Sequence, residues 1–455
     1  MKKNVRLKSG VLAVVACALA FMLPALNSCK KESVNTTDLL STVPSSSSVV
    51  VGINVQSLLK KSDCKVSGSD IEPGAEVKAW LDKAASTGSK KGEIANIILG
   101  GQSGIEPVSA IYFKDAYNDY FTVALANTNK FKEFIEKENG SKFENAGNDV
   151  EVCGNVAVKG AQAWIAAGKV IDPKAVANFS VMESGQSFMS KDFSAKLADM
   201  TSDIVGWGEI NKLVANQLGF SERSTMRMAL GMMFDDAQSV FFTVDMLKGE
   251  GKASVSVLDK DGKPAKYLLP SDKLDIETIK KTGGTANMTI ALVMSKDLVK
   301  KIGNMLSSFG GSQMEKATKA MESIDGTMAV SFGDLDNFDK SMRGVVTTNG
   351  KAGLDLMQMI SGIAPITKDG NFVIFSQGAV DGGLEVSANA EMLKDATMGV
   401  VINLQSPAIG GPSFDLKTLA VKMVPKSGSL NCDLVVKAAD EDRNVMLPLI
   451  QLLAK

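Results

Sequence analysis

Along this chain the spacing of apolar residues switches repeatedly between the period of a strand and that of a helix. Residues 49–61 read VVVGINVQSLLKK. A β-branched run followed by an apolar pair at helical spacing predicts a strand feeding a helix. A helix is expected over 76–85, with Pro73 and Gly74 ahead of it and Val77, Trp80 and Leu81 on one face. VSAIYFK and YFTVAL (108–125) predict two strands around the polar turn KDAYND, and Asn127 or Thr128 caps the helix FKEFIEK, closed by Asn139–Gly140. VEVCGNVAV and AWIAA predict a hairpin turning at Lys159–Gly160. Asp172–Pro173 opens a short helix with an N-cap and a proline at the first position. Phe193, Leu197 and Met200 mark one side of a helix near 192–200.

The strand–helix pattern returns at 203–219 (DIVGWGEINKLVANQLG) and at 288–306 (MTIALVMSKDLVKKIGNML). Between them a Met-rich helix over 222–234, strands at SVFFTVDML and KASVSVL, and a turn at Asp259–Gly262 are predicted. Beyond them come a helix over 313–322, the strand TMAVSF and a helix near 354–363. Strands are then expected at NFVIFSQ, GLEVSAN, GVVINL, LAVKMV and DLVVKA, and a last helix at VMLPLIQLL behind Asp440 and Asp442. Hairpins outnumber crossovers. The expected class is α+β: antiparallel sheets packed by helices, in two domains with repeated strand–helix units. The three units align without gaps, Val51-Gly52-Ile53 with Val205-Gly206-Trp207 and with Ile290-Ala291-Leu292, and Leu59 with Leu213 and Leu298. Each middle residue is small, which lets a neighbour approach closely.

Outside the first 28 residues every methionine lies at Met182 or later, whereas all three tryptophans fall before residue 208. That asymmetry suggests two cores of different make-up, an N-terminal α+β domain over 49–200 and a Met-rich C-terminal one over 201–455. The formal charge is −1, so no basic excess points to nucleic acid.

The amino terminus adds a location. Lys2, Lys3, Arg6 and Lys8 precede an uncharged apolar run from Val11 to Pro24, too short for a comfortable membrane span. Leu26-Asn27-Ser28-Cys29 follows and resembles a bacterial lipobox. In this reading residues 1–28 are a signal peptide cut between Ser28 and Cys29. Cys29 carries the lipid, and 29–48, rich in Ser and Thr, is a tether. Asn27 is a mild departure, as Ala or Ser is commoner there. Lys30 and Lys31 stand where surface-exposed lipoproteins of Bacteroidetes usually carry acidic residues, which favours a periplasm-facing place at the outer membrane over the cell surface.

The stretch TVPSSSSVVVGINVQSLLKKS (42–62) resembles the opening of a Bacteroidetes lipoprotein family, the one with the domain of unknown function numbered 4836. Val43, Pro44, Val49–Val51, Ile53, Asn54 and Leu58 carry the likeness, and Gly52 stands where Ser is common. The resemblance implies an envelope lipoprotein and brings over no site residues, because that family has no assigned activity.

Histidine is absent from the chain, which removes Ser–His–Asp and Cys–His catalysis and imidazole metal sites. Ser57-Leu-Leu-Lys60 and Lys281-Thr282-Gly283 match two pieces of a penicillin-binding serine site, but the middle element is missing, Ser387-Ala388-Asn389 coming after both. Asp259–Gly262 lacks the acidic twelfth position of a calcium loop. Asp334, Asp336 and Asp339 read as caps. Cys64, Cys153 and Cys432 show no CxxC spacing, and Cys153 and Cys432 sit in apolar alternations as small buried residues. Met226, Met228, Met232 and Met233 are set out either as core filling or as a soft binding surface.

The expected function is that of a membrane-anchored envelope lipoprotein with a non-enzymatic binding or scaffold role and no cofactor. Its partners are the membrane, through the lipid, and an envelope protein. The alternatives are a surface carbohydrate-binding lipoprotein and a His-free hydrolase.

Overall fold

The computed structural model describes residues 35–67, 70–86, 103–115, 118–167, 171–191, 193–213, 220–269, 271–296, 298–300, 323–349, 364–409 and 411–448. The fold starts earlier than the hydropathy suggests. Helix α1 (Thr36–Ser41) opens with a capping box, the Asn35 side chain accepting from the Asp38 N–H while Asp38 accepts from the Asn35 N–H. Its Leu39 and Leu40 are fully buried. The tether expected over 29–48 is therefore folded from Asn35 onward. Its serines hid a helix whose two leucines gain by packing on Val43, Val50 and Phe188.

The valine-rich run forms β1 (Val49–Asn54), and the Asn54 side chain then caps α2 (Val55–Lys61) by accepting from the Ser57 N–H. Six strands follow in the same half: β2 (Ile105–Lys114), β3 (Asp119–Leu125), β4 (Glu144–Gly147), β5 (Val150–Cys153), β6 (Val156–Lys159) and β7 (Gln162–Ala166). Helix α3 (Ser194–Ala198) leads to β8 (Ile204–Glu209) and α4 (Ile210–Leu213). Then come α5 (Phe220–Met233), β9 (Ser239–Met246) and β10 (Glu250–Leu258).

The remaining chain repeats this plan. Helix α6 (Ile276–Lys280) stands where α1 stood. The strands are β11 (Met288–Met294), β12 (Ile324–Phe332), β13 (Met342–Thr348), β14 (Ile366–Asp369) and β15 (Phe372–Gln377). Helix α7 (Val386–Met392) then precedes β16 (Met398–Asn403), β17 (Leu416–Lys426) and β18 (Ser429–Ala438). The segment GLEVSAN, expected as a strand, is only two residues of strand and then α7. Its Val386 and Ala390 are buried at helical spacing under the sheet, which outweighs the alternating pattern.

These eighteen strands form one antiparallel sheet. In space they run β4-β5-β6-β7-β3-β2-β1-β8-β9-β10, then β18-β17-β16-β11-β12-β13-β15-β14. The order is the same read from either end toward the middle, apart from the extra strands β4 and β5. The registers agree with a duplication. Val50 pairs with Trp207 as Thr289 pairs with Val401. The β2–β3 ladder is irregular between Ile105 and Ala110, the β12–β13 ladder between Ile324 and Met328. Hairpins β6–β7 and β14–β15 each turn through a glycine, Gly160 and Gly370, both at φ 57°. The halves meet where β10 pairs with its counterpart β18, from Glu250 opposite Lys437 to Ser256 opposite Asn431.

The boundary expected between 200 and 201 falls between α3 and β8, and the strands on either side of it, β1 and β8, pair over five residues. The duplication instead divides the chain after β10.

Strands β1, β8 and β11 lie where the three repeated units were expected, each leading into helical residues, and Gly52, Gly206 and Ala291 are all buried. The match of β1 with β11 is the duplication itself. Strand β8 is instead the partner of β1. Gly52 lies opposite Val205, and Gly206 opposite Val51, so the two glycines face opposite sides of the sheet. The true counterpart of β8 is β16, and Val51–Ser57 (VGINVQS) recurs there as Val400–Ser406 (VVINLQS). Both faces of the first half are packed. Val49, Val51 and Ile53 join Leu58 and Leu59 of α2, while Val50 joins Leu39, Leu40 and Leu197. In the second half Ala291, Ala329 and Val401 pack on Ile279, Ala390 and Leu393.

Candidate functional site

The first half carries an open cleft of about 530 Å³, walled by Lys191 and Phe193, the end of β8, the start of β9 and the turn after β10. Three local devices build it. The strand β8 alternates, so Trp207 turns to the inner face while Glu209 reaches the strand end. The Asp259–Gly262 turn is fixed by its own carboxylate, whose Oδ1 accepts from the N–H groups of Asp261 and Lys263 at 2.9 and 3.0 Å. Gly262, at φ +74°, lets that turn pass Phe193, since a Cβ there would lie 2.9 Å from the ring. Phe193 stacks on Trp207, centroids 5.5 Å apart and planes 23° off parallel, and Phe188 packs against both rings, 5.7 Å from Phe193 and 5.6 Å from Trp207.

Trp207 is only 6% exposed, and its Nε1–H finds no acceptor among the described residues. The polar rim is held in place. Gln238 donates to Asp236 at 2.6 Å, and Asn211 accepts from the Arg227 Nε at 2.9 Å. Lys191 and Lys260 offset two of the three carboxylates of Glu209, Asp259 and Asp261, so the rim is mixed and close to balance.

The serine-site fragments end up in separate halves. Ser57 donates to the Asp203 Oδ1 at 2.6 Å, and Lys61, rather than Lys60, pairs with that carboxylate. Thr282 and Asn389 do come together, through Ser331 and Thr289. Thr282 lies 2.8 Å from the Ser331 hydroxyl, Thr289 lies 3.2 Å from it, and Asn389 donates to Thr289 at 3.0 Å. All four are buried, so this chain of hydroxyls ties α6 and α7 to the sheet and meets no solvent.

Asp334 caps its turn by accepting from the Asp336 and Asn337 N–H groups, and the Asn337 side-chain bond holds its carboxyl below the usual range. Among the described residues no cluster of three or more Cys, Asp or Glu is set to hold a metal ion. Cys64, Cys153 and Cys432 are unpaired. Cys153 is buried as expected, and Cys432 is only half-buried because its stretch of the sheet is incompletely covered.

On α5, Leu230 and Met233 pack on Phe234, Ala265 and Leu430, while Met226 and Met232 are half-buried and Met228 is 44% exposed. Ser28, Cys29 and the side chain of Trp80 fall outside the described residues, as do the helices expected over 313–322 and 354–363.

Trp207 lies in the strand expected at the start of 203–219 and Asp259–Gly262 forms the expected turn. Sequence reading missed the cleft they form with Glu209, Asn211 and Gln238. The available signal was the repeat itself, because the matched positions in the second half carry different residues.

No family model matches the chain, and no curated protein does. Two solved structures of TP0453, crystal forms I and III, are similar to 79% and 78% of it at 10% and 9% identity. They are covered over 97% and 96% of their length, with TM-scores of 0.29. Crystal form IV of the same protein is similar to 49% of the chain, over 80% of its own, at 10% identity and TM-score 0.29.

Proposed function

We propose that the chain is a lipid-anchored envelope protein with a non-enzymatic binding or scaffold role, held at the outer membrane through Cys29 and facing the periplasm. The observation that carries this reading is the short distance between the lipobox and the fold. The capping box at Asn35 begins six residues after Cys29. An extended chain of that length reaches about 20 Å at most, so the folded body rides close to the lipid surface. Of the residues that suggested a hydrolase, Ser57 is taken up in the Asp203 cluster and Thr282 in the chain that reaches Asn389, while Lys60 stays exposed, which favours binding over catalysis. No described helix is long and apolar enough to cross a membrane.

The test is Cys29→Ala. The variant is expected to lose acyl labelling and to leave the membrane fraction for the soluble one, with its thermal melt unchanged. Retained labelling would end the proposal.

A further inference from the structure

We propose that the cleft between Phe193, Trp207 and the Asp259–Gly262 turn binds a neutral saccharide. This deepens the binding role proposed above, and rests on it only for the source of the ligand, a glycan of the envelope.

The duplication supplies the first argument. By strand register, Val401 and Asn403 of the second half occupy the places of Trp207 and Glu209. There the position is closed. Val401 is fully buried, and Asn403 donates to Asn287 at 2.7 Å, with the Gly383 N–H bonded to the same oxygen at 3.1 Å. The same backbone has thus been filled in one half and left open in the other. In the open half the residues are larger, more polar and directed at a common space of about 530 Å³. A cleft of this size suits a small ligand.

The chemistry of the walls gives the ligand class. Two lysines and three carboxylates line the cleft together with Asn211 and Gln238, a mixed set one formal negative charge from balance that lacks the charge excess an ionic ligand needs. Carboxylates, amides and ammonium groups together offer both acceptors and donors, which is what neighbouring hydroxyls on a ring require. The Gln238 and Asn211 side chains are each held by one hydrogen bond and the Asp259 carboxylate by two, so less ordering is needed on binding. Phe193, half-buried and stacked on Trp207, supplies an apolar wall for the C–H face of a sugar ring. Beneath Phe193 the Trp207 ring is almost wholly buried, so it acts as the rigid backing of that wall. A polyhydroxylated ring is the ligand that uses both the polar rim and the apolar wall.

The experiment uses the full lipid-anchored chain in detergent, titrated separately with chitobiose, maltose, mannobiose and galactose and followed by ligand-observed NMR. At least one sugar is expected to bind saturably. Gln238→Ala and Asn211→Ala should each weaken that binding roughly tenfold, with the melting temperature unchanged. Phe193→Leu, which keeps an apolar side chain at the turn, should weaken it as well. Inorganic phosphate and calcium serve as controls and are expected not to bind. The proposal is overturned if none of the four sugars binds at millimolar concentration, if the variants bind as the parent does, or if phosphate or calcium shows the same dependence on Gln238 and Asn211. None of these outcomes bears on anchoring, which the Cys29→Ala fractionation reads independently.

Discussion

The ammonium group of Lys61 lies 2.8 Å from both carboxylate oxygens of Asp203, a residue distant in sequence and 1% exposed. The same carboxylate accepts from the Ser57 hydroxyl and from the Met246 N–H, so one side chain joins α2 to the entry of β8 and the end of β9. A buried charge is tolerated only when its partners are in place.

Removing the cation should therefore be costly. Lys61→Met is expected to destabilise the chain by about 2–4 kcal/mol in urea unfolding, because it leaves the Asp203 carboxylate buried with fewer partners. Lys60→Met, one residue earlier and exposed, should stay within about 0.5 kcal/mol of the parent. Equal effects would show that the ion pair contributes nothing specific.

The two strand glycines should respond unequally to alanine. A Cβ at Gly52 meets the Met200 Cε at 2.6 Å, the mobile end of an unbranched side chain. A Cβ at Gly206 runs into the ring of Phe242, a stiff plane packed against the core. Gly206→Ala is expected to cost about 1–3 kcal/mol by overpacking, and Gly52→Ala clearly less. Thermal or urea unfolding of the two variants reads the difference, and the reverse order would refute the assignment of the two faces. Leucine at either position should be worse than alanine.

Burial pushes the Cys64 and Cys432 thiols above their ordinary range, the Asp63 and Asp433 carboxylates adding to it in each case. A raised pKa means less thiolate at a given pH, and the thiolate is the form that alkylates. Native protein should therefore label slowly with iodoacetamide at both sites, the rate still climbing at pH values where an unperturbed thiol has levelled off. In denaturant Cys64, Cys153 and Cys432 should all react at once. Peptide mass mapping without reduction should find no bridge among the three, and a Cys153–Cys432 link would contradict the structure.

Glu106 is held above the usual carboxylate range by burial, which penalises its charged form. The penalty is absent when both folded and unfolded chains are protonated, and is fully felt above the raised folded pKa. Glu106→Gln should then raise the urea midpoint at neutral pH, with the gain fading as the pH falls through the raised folded value toward the ordinary glutamate range and gone below it. A gain that persists in acid would point to packing and away from charge.

Much of the local structure is legible in the sequence alone, because its causes are local. The run Val49–Ile53 must be a buried strand, Asp172 must cap the helix that Pro173 opens, and Gly160 marks a hairpin by its freedom at positive φ. The gapless match of Val51–Ile53 to Ile290–Leu292 even exposes the duplication, since equal places in equal folds keep the same alternation. What the tertiary structure decided is everything that depends on register and on distant partners. Nothing near Leu39 and Leu40 says that they are core, until Val50 and Phe188 cover them. Gly206 looks like a second Gly52 by spacing. Only the pairing of β1 with β8 shows the two on opposite faces, because a one-residue shift of register turns every side chain over. The cleft is of the same kind. Phe193, Trp207, Gln238 and Asp259 come from four segments with no shared pattern, and they meet because the sheet carries their strands side by side and Gly262 lets the last turn close upon the ring.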